Sequence, residues 1–257
     1  MNNITISRRH FATKAFFTHL SISLLIALLI SLIVFQIWYP NPYYKMIGSL
    51  KLMGLIMLVD LVCGPLLTLI VANPAKPKKE LIRDFGLIGI IQLAALCYGL
   101  YALAQSRPVA LAFDKDRFYV ATAVEIEPDR LAKAPEAFRS LPLFGIYQVG
   151  TRNPTNQEEF LEGINLSMAG IPPAARPDWW IPRAQVEKNI TNARIPLKTL
   201  LDQYPDRAAV IRQYLSNTAK TDNLYYLPLT SEKTLDWIMV FNDKNEAVAY
   251  VPVDGFQ

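Results

Sequence analysis

The stretch LKLMGLIMLVDLVCGPLLTLIV, from Leu50 to Val71, decides the fold class of this chain. It is an apolar run of the length, about 20 residues, that a helix needs to cross the hydrocarbon core of a bilayer. A carboxylate, Asp60, and a proline, Pro65, nevertheless lie near its middle. An acid at this depth is costly in a membrane, so such residues usually have a functional or partner-binding role.

Two further apolar runs of similar length flank this one: FFTHLSISLLIALLISLIVFQIW at 16–38 and FGLIGIIQLAALCYGLYALA at 85–104. We therefore predict a membrane protein whose transmembrane domain, residues 1–106, is a three-helix bundle with spans at about 16–38, 50–71 and 85–104. The first run is too long for a signal-peptide core, so we expect it to stay as an anchor. The alternative, buried helices of a soluble α-domain, is disfavoured by three full-length runs.

The distribution of basic residues predicts the orientation of these spans. Residues 1–15 carry Arg8, Arg9 and Lys14 and no acid, and the 73–83 loop is also basic, whereas residues 40–49 contain only Lys45. The positive-inside rule then places the N-terminus in the cytoplasm and the domain 107–257 on the other side of the membrane, with the spans in contact with the membrane lipids. An aromatic belt at the outer interface would include Trp38, Tyr39, Tyr43 and Tyr44.

The domain 107–257 has patterns of both strands and helices. Two β-rich runs, 109–113 and 117–126, flank a turn at 114–116, and DWIMVFNDKNEAVAYVPV, from Asp236 to Val253, has the pattern of a second hairpin. Helical patterns lie between them at 154–168, 184–193 and 197–215. We predict an α+β domain with antiparallel hairpins at both ends.

The charge and cysteine content of this domain exclude two classes of protein. From Arg107 onward there are 17 basic and 19 acidic residues, so we expect no nucleic-acid partner, which would need a clustered basic surface. Both cysteines, Cys63 and Cys97, lie in the spans, so a disulfide framework in the domain 107–257 is also excluded.

The same domain lacks the residues that most catalytic and metal sites require. His10 and His19 are the only histidines, and no cysteine follows Cys97. The domain thus lacks the usual general bases, thiol nucleophiles and nitrogen or sulfur ligands of zinc, and it has no Gly-rich phosphate loop. Paired acids at 158–159 or at 114 and 116 could serve glycoside hydrolysis, but they are more typical of a helix start and a turn. We expect no enzyme activity, no metal and no cofactor.

The second span should have one polar face. Asp60, Gly64 and Thr68 are spaced at i, i+4 and i+8, which places them on the same side of a helix. Gly64 permits close approach of another backbone, Thr68 can form hydrogen bonds between helices, and Pro65 leaves a carbonyl without its helical donor. Gln92 of the third span is expected near the depth of Asp60. Two interpretations stay open: these residues bind a partner's helix, or Asp60 is satisfied inside the bundle by Gln92, Ser31 or protonation.

The tryptophan pair Trp179–Trp180 also has two interpretations. Tryptophan is enriched at interaction hot spots, so the pair could be an exposed anchor for a partner. Two adjacent tryptophans more often belong to a core or lie against a membrane interface, and we favour that interpretation.

Four segments resemble the type IV pilin accessory proteins of the TfpX/TfpZ family. They are the WYP end of the first span (Trp38–Pro40), VDLVCGPLLTLIV around Asp60, RPVALAFDKDRFYV from Arg107 to Val120, and the closing hairpin. The second and third segments are the specific ones. Residues 150–225 carry little of the resemblance.

The resemblance implies a role in fimbrium biogenesis at the bacterial inner membrane, with the C-terminal domain periplasmic. Such proteins are expected to bind the type IV major pilin in a chaperone-like way and to support its stability or pilus assembly, with other assembly proteins as further partners. A pilin has an apolar N-terminal helix with a single glutamate and a globular head. The alternatives are an envelope enzyme acting on lipid, glycan or pilin, and a structural subunit of the pilus assembly machine.

Overall fold

The computed structural model describes residues 2–215 and 223–256, with side chains described from residue 7 onward. Contacts divide the chain into two compact units: residues 1–37 with 48–105, and residues 38–47 with 106–257. The first unit is helical and the second contains a mixed sheet, which confirms the predicted combination of a three-helix bundle with an α+β domain.

The helical unit consists of three long apolar helices, α1 (Asn2–Ile37), α3 (Ser49–Val71) and α4 (Lys78–Ser106). Each contains a segment long and apolar enough to cross a membrane, at Ser7–Ile37, Ser49–Val71 and Lys78–Ser106. α1 packs along α3 through small residues, and the buried side chains on α1 include Ser23 and Ala27. α4 approaches α3 where glycines leave room: at Gly99, an added Cβ would lie 2.8 Å from Ile56.

A short segment between the first two spans belongs to the sheet unit. It contains α2 (Tyr43–Ile47), whose Tyr43, Met46 and Ile47 join the hydrophobic core of the second unit. Tyr43 packs against Tyr250 with ring centroids 6.0 Å apart. The predicted aromatic belt is therefore wrong for Tyr39 and Tyr43, which are buried, because the apolar faces of their rings are covered by the protein itself.

Within the residues that the structure describes, the sheet unit has eight strands: β1 (Pro108–Asp114), β2 (Arg117–Thr122), β3 (Tyr147–Thr151), β4 (Trp180–Pro182), β5 (Ile195–Pro196), β6 (Tyr225–Thr230), β7 (Trp237–Phe241) and β8 (Ala247–Val251). Their order is β4-β3-β1-β2-β6-β7-β8, with β5 paired to β6. The helices of this unit that follow β2 are α5 (Pro128–Lys133), α6 (Gln157–Met168), α7 (Glu187–Ala193), α8 (Leu197–Gln203) and α9 (Pro205–Tyr214).

Both predicted hairpins are present. β1 pairs antiparallel with β2, with Asp114 opposite Arg117, and β7 pairs antiparallel with β8. Each turn contains a residue with positive φ, Lys115 at 58° and Asn245 at 60°. Asparagine tolerates this conformation well and suits the turn of a hairpin.

Strand β6 was not predicted, although it joins the two hairpins. It runs parallel to β2 and antiparallel to β7. Pro228 lies within it, and proline is normally excluded from a central strand because it cannot donate a ladder hydrogen bond. On the side of β6 away from β7, β5 pairs with residues 225–226 and β2 pairs with residues 229–230. Pro228 lies in the gap between these two partners, where no ladder hydrogen bond is required.

A candidate partner-binding site in the membrane helices

The polar positions of α3 lie on its packed side. Gly64, Pro65 and Thr68 are buried and Asp60 is half-buried. α3 continues through Pro65 without interruption from Ser49 to Val71. The i, i+4, i+8 spacing thus places these residues together on a face directed at the other two helices.

Gln92 of α4 lies directly against this face, as expected from the sequence. Its Nε2 donates a hydrogen bond of 3.0 Å to the main-chain carbonyl oxygen of Asp60, and the amide also interacts with the Asp60 carboxyl group. Gly64 makes this contact possible, because a Cβ added there would lie 1.9 Å from Gln92 Nε2. The absence of a side chain at Gly64 is therefore a packing requirement.

His19 of α1 completes the group, and the sequence analysis did not place it there. Its Nδ1 and Thr68 Oγ1 are hydrogen-bonded at 2.5 Å. A lone histidine inside an apolar span is itself unusual, and this was the available signal. We call His19, Asp60, Gly64, Thr68 and Gln92 the polar cluster.

The surroundings of Asp60 come from all three helices. It borders a void of about 10 Å³ together with Ala27, Met57 and Leu96, among other apolar side chains. Ser31, one of the predicted partners of Asp60, instead donates a hydrogen bond of 2.7 Å to the carbonyl oxygen of Ala27 and contacts Met57 Sδ. The bundle therefore offers Asp60 one of its two predicted side-chain partners, Gln92.

The tryptophan pair lies in the sheet unit and is buried. Trp180 is fully buried, and its Nε1 donates a hydrogen bond of 2.8 Å to the carbonyl oxygen of Ala174. Its ring packs edge-on against Phe138 and Tyr147. Trp179 is 6% exposed. The pair has the core location that the sequence analysis favoured, so neither ring is presented as an exposed anchor.

Acidic and other potential metal-binding side chains are scattered in this structure. Within residues 2–215 and 223–256, no three His, Cys, Asp or Glu side chains come together in a group that could hold a metal ion. The paired acids considered for hydrolysis have local partners. Glu159 accepts hydrogen bonds from Arg152 and from the Thr155 main chain, which lower its pKa to about 2.

The fold and the polar cluster define a class: a membrane protein with three apolar helices, a mixed-sheet domain and a polar cluster between the helices. Comparison with known proteins narrows this class to one family. The chain is 35% identical over 252 residues to "Fimbrial assembly protein, serogroup I" of Dichelobacter nodosus, covering 96% of this chain and 97% of that relative. It is 34% identical, over equal shares, to the serogroup E1 protein of the same organism.

The chain belongs to this family of fimbrial assembly proteins. Residues 7–48 also match the family described as "Fimbrial assembly protein FimB". A shorter relative, the serogroups C1 and C2 protein of Dichelobacter nodosus, is 44% identical over 124 residues, 48% of this chain and 95% of that relative. No solved structure matches the chain significantly. The narrower TfpX/TfpZ assignment stays a prediction.

Proposed function

We propose that this protein is a non-enzymatic accessory protein of type IV fimbrial biogenesis that binds the major pilin in the membrane and supports its stability or assembly. The observation that carries the proposal is similarity to fimbrial assembly proteins along almost the whole chain. The helical unit and the sheet unit are both included in that similarity, so the role belongs to the two together.

The polar cluster supplies a binding mode for the pilin helix. A pilin helix is apolar with a single glutamate, and it needs a partner that satisfies this carboxyl group away from water. Asp60 alone would repel it, because two carboxylates in contact must share a proton or have a donor between them. Gln92 is the donor beside Asp60, and His19 and Thr68 lie about two helical turns further along the same face. We assign the contact with the pilin glutamate to this group.

The proposed location follows from the charge pattern. We place the protein in the bacterial inner membrane with its N-terminus in the cytoplasm and the sheet unit in the periplasm. The apolar side chains exposed along α1, α3 and α4 then face lipid. A pilin waiting in the same membrane would meet the bundle through its helix, and other pilus assembly proteins are further partners.

Substitution of Asp60 tests the proposal in cells. Asp60→Asn retains the size of the side chain and removes its charge, and Cys63→Ser is a matched control, since Cys63 is exposed one turn away on the same helix. We expect Asp60→Asn to reduce surface pili at least fivefold with an unchanged amount of the protein itself, and Cys63→Ser to have no effect. Normal piliation in Asp60→Asn cells would refute the role of Asp60. Normal piliation and pilin levels after deletion of the whole protein would refute the function.

Two other classes of function give different results in the same cells. An envelope enzyme acting on pilin would change the mass of mature pilin when it is deleted, whereas an accessory protein would leave that mass unchanged. A structural subunit of the assembly machine would copurify with other machine components in cells that lack pilin.

A further inference from the structure

The sheet unit contains a cleft of about 620 Å³ that lies outside the polar cluster. Its walls are formed by α6 and by the ends of β1 and β3, and Arg176 also lines it. Volumes of this size, 300–1,000 Å³, are typical of clefts that bind ligands.

Arg176 is a buried cation that no described carboxylate contacts directly. It is 0% exposed and forms no ion pair within the part of the chain that the structure describes. Its Nε and Nη2 donate to the carbonyl oxygens of Ile171 and Gly163 and to Ser167 Oγ. Its Nη1 is buried and has no hydrogen-bond partner. Burial lowers the pKa of the guanidinium group even though Asp178, Asp114 and Glu162 favour its charge from beyond ion-pair distance, so an anion in direct contact would stabilise it.

The free nitrogen lies next to a residue that lines the cleft. Nη1 lies 3.3 Å from the position that a Cβ on Gly163 would occupy, and Gly163 and Arg176 both line the cleft. The guanidinium group stacks on the Trp179 ring, with 5.0 Å between its central carbon and the ring centroid. This stacking fixes the plane of the group, which suits recognition of a planar carboxylate.

The remaining charges make the cleft electropositive. Lys115 is exposed at its edge, and Arg152 lies on its wall in an ion pair with Glu159. Among the described residues that line the cleft, Asp114 is the one acid, against the bases Lys115, Arg152 and Arg176. An acidic ligand would therefore meet a net positive surface.

One wall of the cleft is an exposed apolar stripe. Phe160, Ile164 and Met168 follow each other on α6 at i, i+4 and i+8, and they are 50%, 42% and 82% exposed. Such a stripe is about 12 Å long at 1.5 Å rise per residue. Its length suits a few residues of a partner chain, and its exposure is unusual unless a partner covers it.

We propose that this cleft binds a segment of the pilin head in which an Asp or Glu side chain pairs with Arg176 while adjacent apolar side chains pack on Phe160, Ile164 and Met168. The proposal rests on the proposed function, because it takes the pilin as the partner. It adds a second contact, made by the sheet unit, to the one assigned to the membrane helices. The pairing of one carboxylate with neighbouring apolar groups is the chemistry that both walls of the cleft favour.

Arg176 also fastens the end of α6 to the following turn through Gly163, Ser167 and Ile171, so its substitution could simply unfold this region. The test therefore uses exposed positions on α6. Ile164→Asp places a negative charge on the wall of the cleft, where it would repel an acidic ligand. Leu161→Asp is the matched control, because Leu161 is 53% exposed on the same helix and does not line the cleft.

The readout is photo-crosslinking of the full-length protein in cells. Met168 is replaced by p-benzoylphenylalanine, and adducts are identified with an antibody to the major pilin and by mass spectrometry. We expect a pilin adduct that maps to an Asp or Glu flanked by apolar residues. Ile164→Asp should lower its yield at least fivefold, Leu161→Asp should leave it unchanged, and exchange of the mapped acid for its amide should lower it like Ile164→Asp.

Three results would overturn the proposal: no pilin adduct from position 168, a lipid adduct instead, or a pilin adduct that neither Ile164→Asp nor the amide exchange reduces. The same probe at position 63, one turn from Asp60, separates this outcome from failure of the proposed function. A pilin adduct from position 63 without one from position 168 refutes the cleft and retains pilin binding. The absence of both refutes pilin binding itself.

Discussion

The substitution Gly64→Ala tests the packing of the polar cluster most sharply. An added Cβ would lie 1.9, 2.3 and 2.5 Å from the Nε2, Cδ and Oε1 atoms of Gln92, distances that no real contact allows. The amide must move, and its hydrogen bond to the Asp60 carbonyl oxygen is lost. Hydrogen bonds between membrane helices contribute about 0.6 kcal/mol on average and up to about 1.7 kcal/mol.

Two other contributions change the free energy of unfolding of the Gly64→Ala variant. Forcing a methyl group into a packed contact costs about 1–3 kcal/mol. Alanine is favoured over glycine within a helix by about 1 kcal/mol, which opposes the loss. We therefore expect Gly64→Ala to destabilise the bundle by about 1–3 kcal/mol. Gly54→Ala on the same helix is the control, because no side chain beyond its chain neighbours and no other helix lies within 4 Å of its Cβ position, and it should be neutral or stabilising.

The assay is unfolding of the full-length protein in mixed micelles with increasing dodecyl sulfate, followed by far-ultraviolet circular dichroism. A double-mutant cycle isolates the contact. In a Gln92→Ala background the three atoms nearest to the added methyl group are gone, so Gly64→Ala should become stabilising by about 1 kcal/mol. If Gly64→Ala destabilises equally in both backgrounds, Gly64 does not act by admitting the Gln92 amide and our reasoning is wrong.

Three further predictions concern the sheet unit, and thermal or urea unfolding of the full-length protein checks each. Trp180→Phe should destabilise it by about 2–4 kcal/mol, because a cavity forms and the Ala174 carbonyl oxygen loses its donor; a loss below 0.5 kcal/mol would show that this ring is not core. Asp114→Asn should stabilise the unit at pH 7. Burial raises the pKa of Asp114, so the stability associated with its protonated form is present below the ordinary value of 3.8 and is lost as the pH rises through the folded-state pKa. The advantage of Asn over Asp at position 114 should therefore vanish in acid. A constant advantage at every pH would contradict this prediction. The pKa of Glu159 shifts in the opposite direction, since Arg152 lowers it to about 2. Its contribution to the free energy of unfolding is therefore present above pH 4.5 and lost between pH 4.5 and 2. Glu159→Gln should remove this acid-dependent loss of stability and leave the rest of the pH dependence unchanged.

The membrane helices and the hairpins β1–β2 and β7–β8 could be predicted from the sequence because their signals are local. Three apolar runs give the spans, and the alternating runs around Asp114–Asp116 and Asn242–Asn245 give the hairpins. Strand β6 could not, since Pro228 argues against a strand and is tolerated only because of where β2 and β5 pair. The three-residue β4 is too short to leave a pattern.

Part of the polar cluster could also be predicted, because the spacing of residues within one helix is a local signal. The spacing of Asp60, Gly64 and Thr68 along one helix is visible in the sequence, and similar depth suggested Gln92. Contact between His19 and Thr68 depends on how α1 lies against α3, which spacing within either helix does not specify. Likewise, Tyr43 matched an interfacial pattern, and its burial against Tyr250 depends on contacts with a distant strand.

The central claim, that this protein binds the major pilin through its membrane helices, is tested most directly by photo-crosslinking from position 63. Cys63 is exposed on α3 one turn from Asp60, so p-benzoylphenylalanine there should be tolerated and should lie within reach of a helix that contacts Asp60. The account predicts a pilin adduct in wild-type cells that disappears in cells lacking pilin and falls several-fold with Asp60→Asn. Normal expression with no pilin adduct, or an adduct of the same size in cells without pilin, would contradict it.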